Sequence, residues 1–233
     1  MIERYFQKGA RFRTGLLGPA SSGKGGRQPA DGTIVVTPPA PPGSMIYVGI
    51  DRRLVPPPTP VFAFGANTRI DYSWLAFVEG RTTKISARGD VLTGPMSGCW
   101  ITVWTDAAGR WVGHVGTCDK VDANESVKGT FATSMPRNVI GYQPDKEWHA
   151  DEIKGMRDSF GTMPSYAIVA LVTSNNQLFS TLFFREQREP DILICGGVKT
   201  ANGTQYQGLF DAMMPKRRRA DAAEPLSPTR PRR

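Results

Sequence analysis

Apolar residues fall in short runs along this chain, β-branched or aromatic in character and separated by clusters of Gly, Pro, Asn, Asp and Ser. The runs are Met45–Ile50, Val61–Phe64, Trp74–Val78, Lys84–Ala87, Trp100–Trp104, Trp111–Val115, Tyr166–Thr173, Gln177–Phe184 and Ile192–Cys195. Runs of this kind between turn signals predict β-strands in a largely antiparallel fold. Ser174-Asn175-Asn176 joins two of them as a hairpin connection. Only Lys146–Phe160 reads as a helix, with Trp148, Ile153 and Met156 on its apolar face. The expected fold class is α+β, mainly β: a β-sandwich or mixed sheet with peripheral helices.

Outside these runs the composition changes. Residues 8–45 are rich in Gly, Pro and Ser, and residues 215–233 read PKRRRADAAEPLSPTRPRR. Neither stretch holds enough apolar surface to offset the entropy of ordering it. The expected organisation is a flexible basic, Gly/Pro-rich segment over 1–44, a β-sandwich domain over 45–214 that would hold any chemistry, and a disordered basic tail over 215–233.

Charge follows the same division. The 233 residues carry a net +8, which alone would suggest nucleic acid or an anionic surface as partner. Residues 1–29 hold six basic groups against Glu3, and residues 212–233 hold seven against Asp221 and Glu224, which leaves −2 for 30–211. The basicity belongs to the ends, so nucleic acid is not the expected partner of the body. Gly18–Gly25 mimics a phosphate-binding loop, but Gly25 stands where a Ser or Thr would hold magnesium, and it reads as a linker. Lys216–Arg219 reads as a solubilising tail.

No apolar stretch approaches the roughly 20 residues that span a bilayer, and the N-terminus lacks the apolar core of a Sec signal. Cys99, Cys118 and Cys195 form no C-x-x-C pair, so no zinc site, disulfide framework or other metal or cofactor is implied.

The chemistry concentrates in Gly94–Asp119, which reads as strand, turn and strand. With Asp106–Gly109 as the loop, Thr105 faces Arg110 and Ile101 faces His114. Cys99 then lies one diagonal step from His114 on the same face, with Ile101, Val103 and Val112. Trp100, Trp104 and Trp111 take the other face and anchor the hairpin in a core. A slip of one residue would part Cys99 from His114. An imidazole beside a thiol can take its proton and later protonate a leaving group. Ser97 and Gly98, just before Cys99, are candidate oxyanion donors through their backbone N–H groups.

Ser97-Gly98-Cys99, fourteen intervening residues and His114-Val115-Gly116-Thr117 resemble the catalytic signature of the cytotoxic necrotizing factor group of bacterial toxins. The lethal-factor and chemoreceptor deamidases share a similar loop and downstream His. The resemblance covers about twenty residues. It implies a β-sandwich protein-glutamine deamidase, or transglutaminase, with Cys99 as nucleophile and His114 as base and acid. The implied substrate is a host Rho-family small GTPase, and the implied setting is a secreted effector in a host cytosol. In that family a main-chain carbonyl upstream of the Cys orients the imidazole. Here Ala66 and Asn67, in the Gly65–Thr68 turn, are the expected place for it.

Two other readings stand beside this one: another Cys–His hydrolase such as a protease, and a non-enzymatic β-sandwich module whose basic tails bind nucleic acid or anionic surfaces. Oligomeric state is not legible. Cys118 reads as a buried thiol or a disulfide partner of Cys99, Cys195 as core and His149 as a solvated surface group.

Overall fold

Alternation of apolar and polar positions becomes strand pairing over most of the chain. The computed structural model describes residues 2–14, 34–36, 43–55, 64–65, 67–117, 120–161 and 164–214. Among these residues the first strands are β1 (Ala10–Arg13), β2 (Ile34–Val36), β3 (Gly43–Ile50), β4 (Arg69–Leu75), β5 (Thr82–Ser86) and β6 (Val91–Thr93). Then follow β7 (Trp100–Asp106), β8 (Gly109–Val115), β9 (Ile140–Tyr142), β10 (Tyr166–Val172), β11 (Leu178–Arg185), β12 (Ile192–Thr200) and β13 (Thr204–Gln205). The helices are α1 (Val121–Ser134), α2 (Ala150–Asp158) and α3 (Tyr206–Met213). No described helix is long and apolar enough to cross a membrane.

Among the described residues the strands β1, β12, β11, β10, β6, β4 and β3 close into a barrel in that order, and β13, β9, β7, β8, β5 and β2 form a second sheet. Pairing is antiparallel except for β4 with β6 and β2 with β5. The mainly-β α+β class expected from the sequence is therefore what is observed, arranged as a barrel packed on a sheet. Closure leaves the barrel no unpaired edge. The hairpin predicted around Ser174-Asn175-Asn176 is present, with Val172 opposite Leu178 and Asn176 in the left-handed region at φ 65°.

Three corrections follow from the barrel. Residues Ile2–Thr14 are part of the folded body, not of a flexible segment over 1–44. β1 pairs with both β12 and β3, burying Ala10 and Phe12 and turning Arg11 and Arg13 outward. Those arginines meet acidic partners: Arg11 lies 3.6 Å from Glu186, and Arg13 lies 3.2 Å from Glu189 and 2.6 Å from Asp191. Second, the run Trp74–Val78 is displaced, since β4 ends at Leu75. Val61–Ala63, the phosphate-loop-like segment and the tail over 215–233 lie outside the described residues; Phe64 packs on Tyr5 at 4.9 Å.

Third, Lys146–Phe160 is not the only helical region. It begins inside a 3-10 turn at Pro144–Glu147 and holds α2, while α1 and α3 were not expected. Both cover the outer face of the second sheet, where Trp100, Trp104 and Val115 pack against Val127, Phe131 and Ala132 of α1 and Leu209 and Met213 of α3. Trp104 and Trp111 stack at 6.4 Å, as the hairpin register requires; such aromatic pairs contribute about 0.5–1.5 kcal/mol beyond area burial. The opposite face of the sheet, through Ile85, Ile101, Val103 and Val112, packs on barrel residues such as Leu75, Val91, Ile168 and Leu182. The candidate site lies between these two layers.

Candidate active site

The hairpin register is set locally at its turn. Asp106 Oδ1 accepts hydrogen bonds from the Ala108 backbone N–H at 2.8 Å and from Trp111 Nε1 at 2.9 Å. Gly109 has φ +121°, a conformation that favours glycine. Thr105 is thereby paired with Arg110 and Ile101 with His114, the expected register. Cys99 joins Ile101, Val103 and Val112 in the core between sheet and barrel, while Trp100 and Trp104 take the other face. Cys99 and His114 therefore share one face.

The loop that delivers Cys99 crosses from the barrel to the second sheet. It leaves β6 after Thr93, and the Met96 N–H donates to the Ile168 carbonyl of β10 at 2.8 Å. Gln143 Nε2 donates to the Gly98 carbonyl at 3.1 Å, holding the other side. Gly98 has φ +85°, which turns the chain sharply into β7. Along this loop Ser97 is exposed, Gly98 half-buried and Cys99 only 2% exposed.

Cys99 and His114 share a face, but no hydrogen bond joins them. The Cys99 sulfur lies 3.3 Å from Thr117 Oγ1. Burial pushes the Cys99 thiol pKa up; the Thr117 hydroxyl and the backbone N–H groups of Thr117 and Ser97 pull it down, and the charge of Asp145 adds to the rise. Burial outweighs these neighbours, so the resting thiol is protonated, with the Thr117 hydroxyl beside it. His114 is fully buried, its ring centroid 5.2 Å from that of Phe77. Burial lowers its pKa from 6.5 to about 3, so the imidazole is neutral. Its Nδ1 lies 2.7 Å from Thr93 Oγ1, and its Nε2 is buried with no hydrogen-bond partner among the described residues.

No family model matches the chain, no curated protein matches it, and no solved structure matches it.

The geometry sorts the expected site residues. Cys99 and His114 lie buried on one face of the second sheet, and Ser97 and Gly98 precede Cys99 on the loop that enters β7. Of the Ala66–Asn67 pair expected at the imidazole, Asn67 is exposed, while the ring is buried and in contact with Thr93. The physical reason is topological, because Asn67 precedes β4 whereas the ring is met across the core by the end of β6. Ala66 and Cys118 lie outside the described residues. Cys195 is a fully buried barrel residue and His149 is exposed at the start of α2, both as expected. Among the described residues no group of His, Cys, Asp or Glu is arranged to hold a metal.

Sequence reasoning missed Thr93 and Gln143, and it did not foresee that Thr117 would hold the thiol. Thr117 lies within the quoted His114–Thr117 motif, so a signal for it existed. Gly116 in the same motif also has a visible reason: a Cβ there would fall 2.2 Å from the Val78 carbonyl oxygen and 2.7 Å from that of Arg81. Only glycine lets that turn close over the end of β8, where the Gly116 N–H donates to Arg81 O at 2.8 Å.

Proposed function

We propose that this chain is a cysteine-dependent protein-glutamine deamidase, with Cys99 as nucleophile and His114 as general base and acid. The observation that carries the reading is the hairpin register, which puts Cys99 and a partnerless imidazole nitrogen on one face. The neutral state of both groups sets the order of events. The thiol turns from Thr117 toward His114 and transfers its proton as it attacks the carboxamide carbon, so a thiolate–imidazolium pair is not stored beforehand. An S–C bond forms, and the developing oxyanion takes backbone N–H donors of the Ser97–Cys99 loop. The C–N bond then breaks as His114 returns the proton to the leaving nitrogen, releasing ammonia. Water attacks the thioester with His114 taking its proton; the C–S bond breaks, Cys99 recovers a proton, and glutamate remains. A primary amine in place of water gives transglutamination.

By the resemblance in the Cys99 and His114 segments, the substrate is a Rho-family small GTPase and the chain a secreted effector acting in a host cytosol. Conversion of a GTPase's water-positioning glutamine to glutamate would hold that switch on. The test is incubation with such GTPases, followed by ammonia assay and mass spectrometry. Ammonia with an uncleaved substrate carrying one Gln→Glu shift is expected; cleaved fragments would instead indicate a protease. A second reading rests on burial: with Cys99 at 2% and His114 at 0% exposure, the pair could be packing groups of a non-enzymatic module. Under that reading Cys99→Ala changes no activity.

A further inference from the structure

Thr93 is the last residue of β6 and is fully buried. Its hydroxyl makes two short contacts, 2.6 Å to the Leu75 carbonyl of β4 and 2.7 Å to His114 Nδ1. A hydroxyl has one proton to donate and can accept besides, whereas a carbonyl oxygen only accepts. The Thr93 proton therefore goes to Leu75, and the contact with the ring requires His114 to donate. That places the imidazole hydrogen on Nδ1 and the lone pair on Nε2, the nitrogen that is buried without a partner among the described residues. A buried acceptor left unpaired is unfavourable unless a donor arrives, and the S–H of Cys99 or an N–H of a bound carboxamide is such a donor. Thr83, opposite His114 on β5, does not compete, because its hydroxyl donates to the Ala76 carbonyl at 2.7 Å.

We propose that Thr93 is the positioning residue of this site: it relays the Leu75 carbonyl to His114 Nδ1 and so fixes the tautomer in which Nε2 is the base. This rests on the reading of Cys99 and His114 as the reacting pair. It differs from the direct carbonyl contact implied by the resemblance, since a hydroxyl stands between main chain and ring. The relay also links the layers, with the ring on the second sheet and both of its supports on the barrel.

The test reads the tautomer directly. In two-bond 1H–15N spectra of the full chain, His114 is expected to show a protonated Nδ1 and an unprotonated Nε2, with exposed His149 as the internal reference. Thr93→Val removes the acceptor while keeping the side-chain shape, and should shift the ring toward the other tautomer. Thr93→Ser restores the hydroxyl and should restore the wild-type spectrum. Deamidase kcat should fall by about 10²-fold in Thr93→Val, within the usual contribution of general acid–base catalysis, with KM unchanged and recovery in Thr93→Ser. A wild-type ring protonated on Nε2, or an unaltered tautomer in folded Thr93→Val, would overturn the proposal. A wild-type chain that deamidates nothing while its tautomer responds to Thr93 as described would instead overturn the functional reading and leave the positioning role supported.

Discussion

Cys195 and Cys99 are buried alike, at 0% and 2% exposure, yet they lie in regions of different character. Cys195 belongs to the barrel interior, an apolar cluster that includes Phe6, Phe12 and Phe183 in edge-to-face contact at 5.5–6.5 Å. Burial there pushes its pKa up to about 12, offset in part by a backbone hydrogen bond from Gly197. Cys99 lies in the core between barrel and sheet, two residues after the exposed Ser97, with a threonine hydroxyl 3.3 Å from its sulfur and a neutral imidazole on the same face. Burial alone therefore does not separate a packing thiol from a chemical one. The two thiols differ in their neighbouring donors and acceptors, which are what the proposed chemistry uses.

The largest expected effect concerns the buried imidazole of His114. The unfolded chain binds a proton at His114 below about pH 6.5, while the folded chain binds one only below about 3. Between those values protons favour the unfolded state. Stability is thus full above pH 6.5 and falls with acidification, by about 4–5 kcal/mol in all. Much of that loss precedes the carboxylates: Asp51, held low by its hydrogen bonds to Arg53, loses its contribution only below its ordinary 3.8. Urea midpoints measured across this range check it, and a flat profile between pH 6.5 and 4 would contradict it.

Alkylation contrasts the two thiols next. Iodoacetamide should label Cys99 about 10²–10³-fold faster than Cys195, because a local loop opening exposes one and disruption of the barrel is needed for the other. The Cys99 rate should keep climbing with pH beyond the ordinary thiol range, since its pKa is raised by burial. Peptide mass mapping over time measures both, and equal rates would erase the distinction. A smaller effect is expected for Gly116→Ala, where the added methyl meets two carbonyl oxygens; a cost of about 1–3 kcal/mol is expected by denaturant unfolding. The smallest is Cys195→Ala, costing about 1 kcal/mol and leaving kcat unchanged.

The two regions were also unequally legible in the sequence. The hairpin could be read because Asp106–Gly109 is a strong turn and one register alone puts Trp104 opposite Trp111. β1 could not, because its four residues read as part of a basic tail until Glu186, Glu189 and Asp191 arrive from distant positions to pair with it. α1 carries its buried apolar side chains at Val127, Phe131 and Ala132, among Gly and β-branched residues, so packing under the tryptophans rather than helix propensity defines it. Thr93 was invisible for a related reason. Nothing in Val91-Leu92-Thr93 announces a partner for an imidazole, and only the packing of barrel on sheet brings the hydroxyl to the ring.

Cys99, between barrel and sheet, and not Cys195 inside the barrel, is the thiol proposed to perform covalent chemistry on glutamine. That role is tested most directly by mass spectrometry of Rho-family GTPases incubated with wild-type chain, Cys99→Ser and Cys195→Ala, each shown to be folded. The account predicts a Gln→Glu shift with wild type and Cys195→Ala, and none with Cys99→Ser. Conversion that persists in Cys99→Ser would contradict it.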